Sequence, residues 1–384
     1  MVIVRLLLHS NAPWNFSGYG KQTALLVPRL VNAGYEVAGI SAPYSFGGNL
    51  LEWHDIPVFG CARDGAGNDT ISNIYEYTHA DLVLTVCDVF GLLRAAQAGV
   101  LAQMNVAHWF PVDADPLGEG DLAVLRAGGG IPVAMSRFGE MVLRNEGADP
   151  LYVPHAVDTE IYFPAESVFR ESVPAIGPDT FVIGIAAMNR DLLRKGLAEQ
   201  FQAFARFHRR HPDSHLALHT AHVASPGINL TGLANRLGIS TAVSYPDQFF
   251  YDMGVISEEQ MAIWYNGLDV LSLCSFGEGF GLPLIEAQAC GIPVITTDGS
   301  ATAELCGAGW LVSASDFWAN NHGAFWRRPD VSDIDAAYEA AWEAKQDGKL
   351  PKKEARDFAE LFDADTVFGQ YWVPALAAVE ERLA

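Results

Sequence analysis

Glu278 and Glu286 enclose seven residues, Gly279-Phe280-Gly281-Leu282-Pro283-Leu284-Ile285. The apolar run 269–275 before them reads as a strand, and 283–290 reads as a helix with proline near its first turn and Gly291 just past its end. A helix start presents unpaired backbone N–H groups and the positive end of the dipole, and Gly279 and Gly281 remove side chains that would keep a phosphate away. The loop is therefore suited to an anion. Glu278 sits in it, while Glu286 lies within about the first turn of the helix, where side chains lean back toward the N-terminus. Two carboxylates would repel a bare phosphate. They fit a phosphate that carries sugars, one carboxylate accepting from a ribose and the other from a sugar to be transferred. Taken singly, Glu286 reads as an ordinary first-turn glutamate favoured by the dipole and Glu278 as a solvated loop acid; the pair with both glycines favours the sugar-phosphate reading.

The elements that must position this loop follow from the rest of the chain. Its 384 residues have room for two domains at about 150 residues each. Half of them are hydrophobic, enough for two buried cores. Short apolar runs alternate with helical patterns, which predicts parallel sheets covered by helices. In the first half, 2–9, 35–41, 81–87, 105–110, 131–136 and 151–153 read as strands, and 22–33 as a helix containing Pro28. The stretch 163–178 breaks both periods and reads as a linker. Beyond it, strands are expected at 181–187, 215–220, 242–245, 269–275, 293–297 and 310–312. Helices are expected at 197–209, 230–237, 258–265 and 283–290. After Ser332, a candidate N-cap, the chain turns helical over 332–345, 353–361 and 368–383. The fold class is α/β, two Rossmann-like doubly wound domains facing a central cleft. The first is expected over 1–165, joined by a C-terminal helix at 366–384, and the second over 166–365.

A formal charge of −22 argues against nucleic acid or an anionic membrane surface as a partner, and requires positive contacts for an anionic ligand to be concentrated locally. Asn189-Arg190-Asp191-Leu192-Leu193-Arg194-Lys195-Gly196, after the strand ending near Met188, meets that requirement. Arg190 could act as a bidentate donor and Lys195 as a point charge on a diphosphate. The five cysteines, at 61, 87, 274, 290 and 306, contain no Cys-x-x-Cys pair and read as free thiols of a reducing cytoplasm. The apolar start at 1–8, interrupted by Arg5, is too short to span a membrane and lacks a signal peptide's layout.

Other constellations carry less chemistry. The segment from Ser10 to Lys21 leads from a strand to a helix but matches neither the dinucleotide nor the P-loop pattern; Gly18, Tyr19 and Gly20 leave either a close backbone approach to a ligand or a simple turn. The segment from His108 through Trp109 and Phe110 to Asp113 and Asp115 closes the strand at 105–110; the two aspartates have the spacing of a metal-dependent sugar-transfer motif without a histidine ligand beside them. His208, His211, His215, His219 and His222 spread over a helix end, a turn and a strand, with no cysteine to complete a zinc site. No Gly-x-Ser-x-Gly elbow is present.

Taken together, these segments resemble the retaining glycosyltransferases of the family 4 type, which have the GT-B architecture. The resemblance is carried by Glu278 to Glu286 with Ala287, by Cys290-Gly291-Ile292-Pro293-Val294 and Glu304, and by Arg190 with Lys195-Gly196. Tyr152-Val153-Pro154-His155-Ala156-Val157-Asp158 and Ala134-Met135-Ser136-Arg137-Phe138-Gly139 add to it. Ala156 stands where the family has glycine, and Gly18-Tyr19-Gly20 is a loose match. The resemblance implies transfer of a sugar from a UDP- or GDP-sugar to a hydroxyl acceptor with retention. It puts Glu286 on the ribose, Glu278 on the transferred sugar, and Arg190 and Lys195 on the diphosphate. Gly18, Tyr19, Gly20, Gly279, Phe280, Gly281 and Leu282 would line the donor. It implies no metal or other cofactor, and makes His108 a contact to donor sugar or acceptor. Acceptor selectivity is expected around Trp14, 49–54 and 109–117, including Trp109 and Asp113. A nucleotide-sugar epimerase or phosphorylase on the same architecture, and a non-catalytic nucleotide-sugar or glycan binder, are the alternatives.

Overall fold

A computed structural model describes residues 4–43, 50–60 and 62–383. The expected strand residues Val2 and Ile3, the acceptor-loop residue Asn49, and Cys61 lie outside the described residues. The chain forms two compact units. Unit 1 comprises Met1–Ala156, Ala319–Ala324 and Ala364–Ala384; unit 2 comprises Val157–Trp318 and Phe325–Asp363.

Unit 1 is built on eight strands: β1 (Arg5–His9), β2 (Glu36–Ser41), β3 (Leu50–Trp53), β4 (Ile56–Phe59), β5 (Leu82–Val86), β6 (Val106–Phe110), β7 (Ile131–Ala134) and β8 (Leu151–Tyr152). They lie in the order β3-β4-β2-β1-β5-β6-β7-β8, parallel except for β3 against β4. Helices cover the sheet, so central strands such as β5 and β6 are buried at every residue and read as apolar runs interrupted only by Thr85 and His108. The β3–β4 hairpin had no sequence signal of the usual kind. Its two turn residues, His54 and Asp55, both have positive φ, the geometry Asn-Gly normally supplies. The strand expected at 105–110 is β6, and His108 is its third residue, followed by Trp109 and Phe110.

The helix expected from residue 22 starts at Gly18 and runs through Pro28 to Asn32. Ser17 supplies the reason: its Oγ accepts from the Gly20 N–H at 3.1 Å and caps the helix four residues early.

Unit 2 holds β9 (Phe181–Ala186), β10 (Ser214–His219), β11 (Val243–Ser244), β12 (Val270–Leu273), β13 (Val294–Thr297) and β14 (Gly309–Val312), all parallel in the order β11-β10-β9-β12-β13-β14. β15 (Ala314–Ala319) and β16 (Ala324–Pro329), which the sequence reading passed over, form a separate two-stranded ribbon. The helices expected in this half are present as Leu197–Arg210, Leu230–Leu237, Glu258–Asn266 and Leu282–Ala289. Phe181, Phe201, Phe204, Phe207 and Tyr338 form part of its core. Each such side chain contributes about 1.5–3 kcal/mol on burial. The helix Val331–Gln346 is capped by Asp330, which accepts from the Ser332 and Asp333 N–H groups; Ser332 lies inside the helix.

The first crossing between the units comes at Ala156, nearer the N-terminus than residue 165. From Val157 on, the chain is bonded into unit 2: Val157 N donates to Phe362 O, and the Arg356 guanidinium donates to Tyr162 O. The stretch 163–178 is therefore packed on unit 2 and links nothing. Ala165 N donates to Asn266 Oδ1, and Arg170 bonds Gly267 O, Thr180 O and the Asp269 carboxylate.

Candidate functional site

In unit 2, two strand–loop–helix junctions meet, one after β9 and one after β12. Gly196 makes the approach possible. It has φ +58°, and a Cβ there would lie 2.1 Å from the Cys274 carbonyl oxygen, so only glycine lets helix Leu197–Arg210 start beside the end of β12. Phe276 N donates to Arg194 O at 2.7 Å and ties the two loops together.

Glu278 is buried where the loops join. Its Oε1 accepts from Lys195 Nζ at 2.5 Å and Ser275 Oγ at 2.7 Å, and its Oε2 from the Arg194 guanidinium at 3.3 Å. Arg194 also donates to Gly277 O. Burial alone would push the Glu278 carboxyl up, but the Lys195 ammonium and the Arg194 guanidinium outweigh it and hold the group below the usual glutamate value. Asp191 also pairs with Arg194, at 3.6 Å, so the carboxylates of Glu278 and Asp191 balance the two cations gathered here. The loop after β13 holds the backbone here. Ser300, at φ +52°, accepts from Glu278 N through its Oγ, and Ala301 N donates to Glu278 O. A non-glycine residue in that region stores about 1–3 kcal/mol of strain.

Glu286 is buried on helix Leu282–Ala289 and accepts from Tyr265 OH at 2.8 Å. The helix starts at Gly281, with φ +123° and no side-chain cap; helix Leu197–Arg210 starts at Gly196, also with none. Ser17, Ser136, Asn229, Asp247, Ser257 and Asp330 cap the helices that follow them, while Ile71–Thr78, Glu119–Gly128 and Lys352–Ala359 also start without a side-chain cap. The two helices that start beside Glu278 thus leave their first N–H groups without a side-chain partner, which suits an anion. Gly279 and Phe280 are buried in the connecting loop, where the Phe280 ring packs edge-on against Phe362, and Leu282 is half-buried.

Not every expected residue gathers at this corner. Arg190 is exposed, and its charge acts on Tyr251; the guanidinium bonded to Glu278 is that of Arg194. In unit 1, Gly18, Tyr19 and Gly20 form the first helical turn. A Cβ on Gly20 would lie 2.2 Å from Asn15 O, so that glycine makes room for the chain's own loop. Tyr19 OH donates to Asp88 at 2.9 Å. His108 is fully buried, bonded through Nδ1 to Thr85 Oγ1, with its ring against Gly130; burial lowers it to about 4. It is sealed in the sheet and reaches no surface where a substrate could meet it. Trp109 is likewise core: its indole N–H donates to Val153 O, and its ring packs edge-on against His155 and Trp372. Trp14 is exposed. Asp113 is half-buried and acts with burial and Asp88 to push Asp121 up to about 7.

The clustered histidines have separate structural partners, His208 on Ser214 and His211 on Glu339. Among the described residues, no group of three His, Cys, Asp or Glu is placed to hold a metal ion, and no helix is long and apolar enough to cross a membrane. Cys87, Cys274 and Cys290 are buried free thiols. The sequence reading did not pick out Ser275, Tyr265 or Ser300. Each acts through a bond to a residue distant in sequence or across a turn, and none belongs to a motif.

Residues 182–322 match the family described as Glycosyl transferases group 1. The chain is similar to D-inositol 3-phosphate glycosyltransferase 2 of Catenulispora acidiphila, 32% identical over 46% of this chain and 42% of that protein. It is also similar to an MMP alpha-(1→4)-mannosyltransferase of Mycolicibacterium hassiacum, 30% identical over 40% of this chain and 33% of that one. These alignments span less than half of either relative. Among solved structures, sucrose-phosphate synthase from Thermosynechococcus elongatus superposes with a TM-score of 0.75 at 17% identity, covering 98% of this chain and 100% of that one. Anabaena HepE in complex with UDP-glucose superposes at 0.73 and 16% identity, covering 97% and 99%. Residues 182–322 thus match a group 1 glycosyltransferase domain, and both units have the Rossmann-like fold of the GT-B glycosyltransferase structures.

Proposed function

We propose that the chain moves a sugar from a nucleoside-diphosphate sugar to a hydroxyl acceptor with retention of anomeric configuration. The observation that carries this reading is the corner of unit 2 where Lys195 and Arg194 converge on buried Glu278 beside two helix starts without side-chain caps. In a chain of charge −22, two cations concentrated beside two uncapped helix starts are the local contacts a diphosphate needs.

The chemistry follows from the charge. As the bond from the sugar's anomeric carbon to the diphosphate oxygen breaks, negative charge grows on the diphosphate. Lys195, Arg194 and the loop N–H groups are fixed in advance to stabilise that charge, which lowers the barrier more than it tightens ground-state binding. The acceptor oxygen forms its bond from the face the diphosphate leaves, and its proton passes to a phosphate oxygen. Glu278 holds the two cations in place and meets the transferred sugar; Glu286 accepts from the ribose. Arg190, on the same loop as Lys195, joins the diphosphate when the donor is bound. Trp14 and Asp113 belong to the acceptor side. The names of the relatives support sugar transfer, and the UDP-glucose bound to HepE supports a nucleotide-sugar donor.

The test is a thermal-shift screen of UDP-, GDP- and ADP-sugars, with and without added divalent metal, followed by transfer assays with the donor that binds. Transfer to an added alcohol with the anomeric configuration kept, at a rate unchanged by chelator, supports the reading. Conversion of the donor with no acceptor consumed points to an epimerase, and a strict metal requirement returns attention to Asp113 and Asp115.

A further inference from the structure

We infer that Tyr265 is a positioning residue for Glu286 and sets the site's preference for a ribose over a sugar lacking its hydroxyls; this rests on the donor reading above. Tyr265 is the penultimate residue of helix Glu258–Asn266 and is fully buried. Its ring packs edge-on against Tyr162 at 6.0 Å and Trp264 at 5.1 Å between centroids. The helix itself is pinned at its start by a reciprocal capping box, Ser257 Oγ accepting from Gln260 N and Gln260 Oε1 from Ser257 N. The phenol is thus held by covalent geometry, ring packing and a capped helix. Its O–H donates to Glu286 Oε2 at 2.8 Å, in a region where both residues are buried.

The chemistry of that bond is directional. Burial and the Glu286 charge push the phenol well above its ordinary value, so it remains an O–H donor throughout the working range. A donor in a fixed position orients the carboxylate plane. Glu286 lies among Leu284, Ile285, Ala287 and Ala289 on a buried helix whose one other polar side chain is Gln288, and a carboxylate is costly to place there. Its side chain leans toward the helix start at Gly281, the end that carries no side-chain cap. A carboxylate has about four acceptor sites, and one held by a phenol on Oε2 can still meet a diol whose two hydroxyls both donate. Without the phenol, the carboxylate can turn, and its bonds to the diol become less well aligned.

The experiment compares the parent with Tyr265→Phe and Glu286→Gln by isothermal titration. The probes are UDP and GDP and their 2′,3′-dideoxy counterparts. The parent is expected to bind one of the ribonucleotides at least about tenfold tighter than its dideoxy form, as for hydrogen bonds to a charged group. In Tyr265→Phe, the ribonucleotide should weaken by about five- to tenfold while the dideoxy form stays within about twofold, so the ratio collapses. Glu286→Gln should collapse it too, and the double variant should go no further. If Tyr265→Phe leaves the ratio unchanged, or weakens both probes equally, Tyr265 is a core residue only and the inference is overturned. A parent that binds no nucleoside diphosphate overturns the donor reading and this inference together.

Discussion

Each unit contains a strand that runs through a glycine-bearing loop into a helix, and the two junctions differ in what occupies them. After β1, Ser17 caps the helix and the Asn15 carbonyl fills the space that Gly20 leaves. The chain satisfies its own donors and closes its own gap. After β12, the helix at Leu282 starts without a side-chain cap, and the loop carries a buried carboxylate with two cations on it. The contrast shows that glycines near a helix start are ambiguous by themselves. What separates a ligand site from a turn is whether the chain's own groups consume the donors and the space.

The largest effect that should separate the two junctions comes from Lys195→Ala. Removing the ammonium beside the developing charge is expected to slow transfer by about a thousandfold, measured as kcat. Trp14→Ala in unit 1 should leave donor binding unchanged. Next comes Glu278→Gln, which leaves Lys195 and Arg194 without their shared carboxylate. Breaking such a buried pair costs about 3 kcal/mol, read from urea unfolding at neutral pH. Gly20→Ala follows. Its methyl would be forced against Asn15 O, so stability should fall by about 2 kcal/mol while nucleotide-sugar affinity is unchanged. If Gly20→Ala instead weakened donor binding at unchanged stability, the unit 1 junction would be a ligand site after all.

At neutral pH the smallest effect concerns His108, whose contribution changes only on acidification. Burial lowers it from 6.5 to about 4, so the folded chain holds it neutral while the unfolded chain protonates it. Stability from this group is complete above pH 6.5 and is lost as pH falls toward 4, by about 1.4 kcal/mol per pH unit. His108→Gln should flatten the pH dependence of unfolding by that slope in that window. A variant that instead lost transfer at neutral pH with its stability intact would return His108 to the site.

The two junctions also differ in how far the sequence revealed them. Parallel strands buried on both faces, such as β5 and β12, are apolar but for Thr85 and Ser272, so their places were legible within a few residues. The β3–β4 hairpin was not, because His54 and Asp55 adopt by context a conformation that other residues favour intrinsically. The start of the first helix was missed because Ser17 competes with a loop reading until its bond to Gly20 is seen. In the site, Glu278, Glu286 and Lys195 stood out by type and spacing. Tyr265, Ser275 and Ser300 matter through bonds that folding creates. Arg194 and Arg190 are both cations on one loop, and only the turn around Gly196 decides which guanidinium faces Glu278.

The most direct measurement is calorimetric titration of the parent and of Lys195→Ala with the nucleoside-diphosphate sugar that gives the largest thermal shift. A donor site at the unit 2 corner predicts one saturable site in the parent and at least about a tenfold loss of affinity in the variant, with the fold intact. Equal affinity in the two proteins, or no binding of any nucleotide sugar by the parent, would contradict it.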